Sequence, residues 1–328
     1  MTAIHVAIPA RHRRVLFTDS AWARLCALGE VTVLPEDATA LPEDLFSTTD
    51  VLLTGWDTPH LARVNGDRLR LIVHTSGTWR DALGPEVFAS EVTVTQAGSD
   101  PMARAVAEFA LTMELMLLRE AHTYDRGMQT TRDYTASRQP EYGTAIHAVG
   151  HGLIGLSRVG LWHLRMLQGL GCTDIVAYDP YISAERAEQL GVRMVGLEEA
   201  MAHPVVALHA PVTPETRGMI GARELALVPD GGIVLNTARA AIVDAAALEA
   251  ELVAGRLRAG LDVFDQEPLP ADSPLYGLPN VLLAPHVAGA TREARWEMGD
   301  TAVDETERFL HGRDVSHRVD PATVEQLS

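Results

Sequence analysis

From residue 152 to residue 284 the chain repeats one rhythm, a short apolar run followed by a stretch of helical composition. Strand candidates fall at 152–156, 174–179, 192–195, 205–210, 232–237, 257–263 and 281–284, with helical segments between several of them. Runs such as VVALHA and GGIVLNTA are continuously apolar rather than alternating. Such runs mark strands covered on both faces, which is the situation in a parallel sheet with helices above and below. The pattern predicts a doubly wound α/β sheet. A second, smaller series precedes it: HVAIPA, EVTVLP, DVLLTG, LRLIVHTSG and VTVTQA read as strands and SAWARLCALG as a helix. At 328 residues the chain exceeds the size at which one core keeps growing, so two α/β domains are expected.

Between the two series, PMARAVAEFALTMELMLLRE reads as a connecting helix entered at Pro101 behind Ser99 and Asp100, with Ala105, Phe109, Thr112, Met113 and Met116 forming its apolar stripe. Residues 121–148 are weakly patterned. An amphipathic helix is expected from Thr291 to Leu310, closed by Gly312, and the last 16 residues read as extended or frayed.

The stretch GLIGLSRVG, residues 152–160, has the form of a dinucleotide turn with serine in the middle glycine's place. Such a turn needs a tight bend, close approach of backbone to a diphosphate, and close packing of helix on strand. Gly155 and Gly160 suit the first and third. Ser157 is small enough for the second and carries a hydroxyl donor, while the following helix presents its positive end. The next strand candidate ends at Asp179, 24 residues beyond Gly155. A carboxylate there suits the ribose hydroxyls of NAD and repels the extra phosphate of NADP.

Composition excludes several alternatives. With 27 basic and 44 acidic side chains the formal charge is −17, which works against nucleic-acid or anionic-membrane partners. Cys26 and Cys172 are far apart and lack a metal-thiolate spacing, and the scattered histidines suggest no metal site. There is no secretory apolar run and no 18-residue apolar span, so a cytoplasmic protein is expected.

Taken together, VTQAGSDPMARAVAEFAL, GLIGLSRVG, IVAYDP, LHAPVTPETRGMI, GGIVLNTARAAIVDAAALEAELVAGRLRAGLDVFDQEPLP and NVLLAPHVAGAT resemble, in order and spacing, the D-isomer-specific 2-hydroxyacid dehydrogenase family over most of residues 50–311. The resemblance implies a Rossmann-type NAD-binding domain, residues 102–297, inserted in a smaller flavodoxin-like substrate domain made of 1–101 and 298–328. It places catalytic roles on Arg239, Glu267 and His286, and a substrate-carboxylate clamp at Ser76, Gly77 and Thr78 with Arg239. Cofactor positions carry over to Gly155, Ser157, Arg158, Val159, Gly160, Asp179, Ala210, Thr237, Ala238, Asp262, His286 and Gly289, with Asp262 at the nicotinamide carboxamide. It further implies NAD as cofactor, a small 2-hydroxy or 2-oxo acid as substrate, and a homodimer.

The residue types fit that chemistry. Histidine exchanges a proton near neutrality, a carboxylate on its other ring nitrogen fixes the tautomer, and a guanidinium fork grips a carboxylate. Taken singly, each has a plainer reading: an arginine at a strand end is usually solvated, a glutamate before proline is usually a loop acid, and a histidine after a strand usually packs. His74, His203 and His209 read as packing or loop residues. The chain departs from the family at Ser157, at Ala240 after the catalytic arginine, at Trp79 in the substrate loop, where an indole would narrow the pocket or wall it, and in 255–262, one residue short. An NAD-sensing, corepressor-like protein and a phosphite-type dehydrogenase are the alternative functions on this fold.

Overall fold

The structure is a computed structural model that describes residues 1–36, 38–80, 82–138 and 143–320. The chain divides into two compact units, one made of Met1–Met102 with the residues from Ala290 on, the other of Ala103–Gly289. Residues 290–297, expected with the nucleotide-binding segment, fall in the first unit. The reason is local: the helix Arg292–Leu310 is continuous, its N-cap Thr291 accepts from Ala294 N, and its buried residues begin at Ala294 and continue through Met298 and Ala302.

The first unit holds strands β1 (Ala3–Val6), β2 (Glu30–Val33), β3 (Val51–Thr54), β4 (Leu71–His74) and β5 (Thr93–Gln96), all parallel, in the order β2-β1-β3-β4-β5. This is the flavodoxin-like order. β3 and β4 are buried on both faces, as their unbroken apolar runs require. One set of side chains, including Ile4, Val6, Leu53 and Val73, packs under Met298, Ala302 and Val303 of the C-terminal helix, and the other, including Leu52 and Ile72, packs with Leu83 and Val87. The residues after that helix do more than fray. Val319 is buried, its N–H donates to Val94 O, and His317 O accepts from Gln96 N, so 317–319 lie along β5. Residues 321–328, also expected to be extended, lie outside the described residues.

The second unit holds β6 (His151–Ile154), β7 (Ile175–Tyr178), β8 (Arg193–Met194), β9 (Val205–Leu208), β10 (Ile233–Asn236), β11 (Arg258–Leu261) and β12 (Val281–Leu283), parallel throughout, in the order β12-β11-β10-β9-β6-β7-β8. The direction of the winding reverses between β6 and β9. That switch point is where a doubly wound sheet receives its ligand. Two apolar layers cover the sheet, one containing Val206, Leu208 and Val234, the other Ala207, Leu235 and Leu153.

Two helices differ from expectation. The connecting helix runs Ser99–Leu118, and its buried residues are Ala103, Ala105, Ala107, Ala110, Met113, Glu114, Leu117 and Leu118, so Phe109 and Met116 are only partly covered and Thr112 is exposed. The weakly patterned stretch contains a helix, Ala121–Thr131, none of whose residues is buried. It is polar on average and turns no face into the core, so no buried apolar run announces it in the sequence. No helix among the described residues is long and apolar enough to cross a membrane.

Candidate active site

β6 ends at Ile154 and the chain turns at Gly155 with φ +98°, a conformation that favours glycine. Space imposes the same choice: a β-carbon there would lie 2.7 Å from Ala210 N. At Gly160 a β-carbon would lie 2.1 Å from Gly155 O, so the helix Arg158–Gly169 approaches the strand as closely as it does only because that position is bare. Ser157 between them has φ −75° and ψ −156°, extended backbone that any residue adopts, and is exposed. Its hydroxyl does not cap the helix it precedes. The middle glycine is therefore dispensable here, and the serine leaves the turn intact.

Asp179, just beyond β7, accepts from Leu156 N at 2.8 Å and from Tyr181 N at 2.9 Å. The carboxylate expected at a ribose thus also braces the turn. Beneath it, His209 follows β9 and is 6% exposed. His209 Nε2 and His163 Nδ1 are 2.9 Å apart, and His163 Nε2 lies 3.1 Å from Glu114 Oε2, a buried polar chain whose members no local sequence pattern connects. Burial holds His209 well below the usual imidazole range, and the neighbouring His163 adds to that.

At the end of β10, Asn236 is buried and shapes the loop after the strand: its Nδ2–H donates to Arg239 O at 3.0 Å and its Oδ1 accepts from Ala238 N at 3.1 Å. Thr237 is buried with a hydroxyl that lacks a hydrogen-bond partner, and Arg239 is half-buried. Arg239 Nη1 donates to Ala238 O at 2.7 Å. Asn236 was not among the expected site residues; its only sequence signal is an amide closing an otherwise apolar strand.

After β12 comes His286, with φ +54°, a left-handed conformation uncommon outside glycine. Asp262, after β11, imposes it. This carboxylate is 1% exposed, and its oxygens accept from Val287 N at 2.8 Å and Ala288 N at 2.9 Å, while its carbonyl accepts from His286 N. Burial raises the Asp262 carboxyl above the usual range, against the two N–H donors and the charge of His286. His286 Nδ1 lies 2.7 Å from Glu267 Oε2, and Glu267 Oε1 accepts from Phe264 N at 3.0 Å. Burial pushes Glu267 up, but the His286 hydrogen bond, the Phe264 N–H and the charges of His286 and Arg239 outweigh it, leaving the carboxyl below its ordinary value. The structure therefore brings Glu267, His286 and the field of Arg239 together.

The fit to a dinucleotide rests on three observations within this unit: the bare floor at Gly155 and Gly160, the unpartnered Thr237 hydroxyl, and the placement of Ala210, Thr237, Ala238, Asp262 and Gly289 beyond the carboxyl ends of adjacent strands. Arg158 is exposed and Val159 half-buried at the helix start. Among the described residues no cluster of histidine, cysteine or carboxylate side chains could hold a metal.

In the first unit the loop after β4 is braced from below. His74 Nε2–H donates to Thr78 O at 2.7 Å and also meets Ser76 Oγ, while His74 Nδ1 accepts from Thr54 Oγ1 at 3.0 Å. Complete burial takes the His74 imidazole down to about 4. Gln96 Nε2 donates to Gly77 O. Trp79 does not wall a pocket: it is 3% exposed and packs at 4.5 Å on Phe88 within the unit's core. The turn in which Ala82 N and Leu83 N donate to Trp79 O folds the indole inward.

Residues 111–288 match the NAD-binding domain of the D-isomer specific 2-hydroxyacid dehydrogenases. The chain belongs to that family. It is 35% identical over 223 residues to a D-3-phosphoglycerate dehydrogenase of Archaeoglobus fulgidus, covering 67% of this chain and 42% of that one. It is 37% identical over 193 residues to a glyoxylate/hydroxypyruvate reductase B of Citrobacter koseri, covering 58% and 59%. The chain thus matches about two fifths of the length of the phosphoglycerate dehydrogenase. The crystal structure of the TT0316 protein from Thermus thermophilus superposes with a TM-score of 0.79 at 27% identity, over 97% of this chain and all of that one.

Proposed function

We propose that the protein is an NAD-dependent oxidoreductase that interconverts a small D-2-hydroxy acid and its 2-oxo acid. The observation that carries the reading is the Glu267–His286 pair at 2.7 Å, built on a histidine held in a left-handed conformation by Asp262. With Glu267 accepting from Nδ1–H, His286 presents a bare Nε2 as the base for a substrate hydroxyl. In the opposite direction the imidazolium, stabilised by Glu267, returns that proton to the 2-oxo oxygen. Arg239 grips the substrate carboxylate and polarises the neighbouring oxygen through its planar fork. Ser76, Gly77 and Thr78 complete the carboxylate clamp. A bound nicotinamide supplies the hydride acceptor, or the donor in the reverse direction. Gly155, Ser157, Arg158, Val159 and Gly160 hold its diphosphate, with Ala210, Thr237, Ala238, Asp262 and Gly289 along the rest.

Asp179 supports NAD over NADP, because a carboxylate tied to the turn by Leu156 N repels a 2′-phosphate. The protein works as a cytoplasmic homodimer in this reading. The exposed helix Ala121–Thr131 supports a second copy, and sedimentation of the purified chain tests it.

A panel of 2-oxo acids with NADH, followed by loss of nicotinamide absorbance, tests the activity. Turnover of a 2-oxo acid sustains it. Tight NADH binding without turnover across the panel would sink it in favour of sensing, and NAD reduction by phosphite alone would do so in favour of phosphite chemistry.

A further inference from the structure

The first unit has a ligand-facing edge of its own. Ligands of open parallel sheets gather beyond the carboxyl ends of the strands. In this unit Pro9–His12 follow β1, Gly55–Thr58 follow β3 and Thr75–Thr78 follow β4, three strands adjacent in the sheet. Against the middle loop lies Arg295, from the start of the helix Arg292–Leu310. Its guanidinium carbon is 3.8 Å from the centroid of the Trp56 ring. Its Nη1 is buried without a hydrogen-bond partner, and among the described residues Arg295 makes no ion pair.

A guanidinium stays charged at any ordinary pH. Taking it out of water without a counter-charge is strongly unfavourable, and an indole face recovers only part of the loss. Burial accordingly lowers the Arg295 pKa. Other arginines meet carboxylates, Arg24 with Asp304 and Glu307, Arg68 with Asp50 and Arg256 with Glu251 and Asp230, and the half-buried Arg258 donates to Gly231 O and Leu117 O. In a chain with 44 acidic residues, an unmatched half-buried arginine does not reflect a shortage of carboxylates.

The surroundings reinforce the positive charge. Arg295 sits near the helix's positive end. The acid of the middle loop, Asp57, is already engaged: its Oδ2 lies 2.7 Å from Arg11 Nη2 and 2.6 Å from His12 Nε2. Asp57 has φ +57°, a strained conformation for a non-glycine residue.

We propose that the first unit binds an oxyanion, a carboxylate or phosphate group, on the Arg295 guanidinium above the Trp56 ring. Where that group belongs to the substrate, the inference rests on the dehydrogenase reading and names the substrate class: 2-oxo acids with a second anionic group at the far end. Where it is a free inorganic anion, the site stands without that reading.

The test uses the full chain and its Arg295→Gln and Arg295→Lys variants in chloride buffer. Calorimetric titration with inorganic phosphate, without cofactor, should show saturable binding that weakens about 10-fold or more in Arg295→Gln and less in Arg295→Lys. NADH oxidation is then compared for glyoxylate, a 2-oxo dicarboxylate and a phosphorylated 2-oxo acid. A substrate-borne group predicts that Arg295→Gln raises KM for the last two by about 10- to 100-fold with kcat nearly kept, while glyoxylate is little affected. Weakened phosphate binding with every KM unmoved assigns the site to a free anion. Phosphate binding that depends on Arg295 in a protein inactive on all three acids would keep the site and remove the dehydrogenase reading. Phosphate binding absent, or equal in wild type and Arg295→Gln, together with unmoved KM values, overturns the proposal; Arg295→Lys, which keeps the charge, guards against a folding failure.

Discussion

Replacing Asp262 by asparagine separates the support of His286, the proposed proton carrier, from the imidazole itself. The carboxylate accepts from two backbone N–H groups, those of Val287 and Ala288, at 2.8 and 2.9 Å, in a site that is 1% exposed. Hydrogen bonds to a charged group contribute about 1.5–3 kcal/mol each, so the pair is worth roughly 3–6 kcal/mol before the cost of burying the charge. Asparagine keeps one acceptor and turns an N–H donor toward the other N–H, and a net loss of about 2 kcal/mol follows. For a unit of this size that is a fall in Tm of about 4–8 °C. Because burial raises the Asp262 carboxyl above its ordinary 3.8, the folded chain holds that proton more tightly than the unfolded chain. The associated stability is complete below the ordinary value and is lost as pH rises through the raised one, so the gap between wild type and Asp262→Asn narrows as pH climbs. His286, no longer clamped at φ +54°, relaxes by about 1–3 kcal/mol away from Glu267, and kcat/KM falls about 10- to 100-fold. Thermal melts over a pH series, NADH oxidation and NADH titration together decide the matter. Unchanged Tm and kcat/KM would refute the clamp, and an NADH affinity that weakens in step with activity would assign Asp262 to the carboxamide as well.

Four further substitutions test neighbouring steps. Glu267→Gln removes the charge and leaves one acceptor oxygen for the N–H groups of His286 and Phe264, and should lower kcat/KM by about 10²-fold or more with an altered pH profile; a superimposable profile counts against the coupling. Ser157→Gly changes an exposed residue in extended backbone, so NADH affinity by titration should stay within about threefold, and abolished binding would show that the turn lies elsewhere. Gly160→Ala drives a β-carbon to 2.1 Å from Gly155 O, and dinucleotide binding should be lost with about 1–3 kcal/mol of stability; an alanine variant that binds NADH normally would refute the close-packing role. Asp179→Ala should reduce the preference for NAD over NADP in kcat/KM while freeing Leu156 N, and a constant ratio would reject a ribose contact.

The strands of the second unit were legible because most of them are buried on both faces: each of the seven apolar runs coincides with a strand to within two residues at either end, β6 starting one residue earlier at His151. The features that escaped detection lack such a signal or depend on distant partners. The helix Ala121–Thr131 is polar on average, buries none of its residues and is flanked by left-handed Glu120 and Arg132, so no core-facing apolar run marks it. Glu114 sits among apolar residues in a helix, and its partner His163 is 49 residues away, a separation that local pattern does not bridge. The pairing of 317–319 with β5 is equally non-local. Trp79 could be placed in the loop after β4 but not on its inner side, because the direction of a side chain in an irregular turn depends on that turn's hydrogen bonds.

The same contrast orders the site. Gly155, Arg239 and His286 stand just beyond β6, β10 and β12, so reading the strands also located them. Asn236, the Phe264 N–H, and the donors of Val287 and Ala288 aim those residues, and they do so through backbone contacts that leave little mark on residue type. The buried chain under the turn obeys one further rule. If His163 Nε2–H donates to Glu114, its Nδ1 is left to accept from His209 Nε2–H, and His209 is then neutral, in keeping with an imidazole that burial holds well below its usual range. The His209 imidazole itself then adds no positive charge beneath Gly155. In the proposed reading, attraction for a diphosphate there comes from the helix N-terminus at Arg158 and from that arginine, while the bare backbone at Gly155 and Gly160, rather than the identity of residue 157, lets it approach.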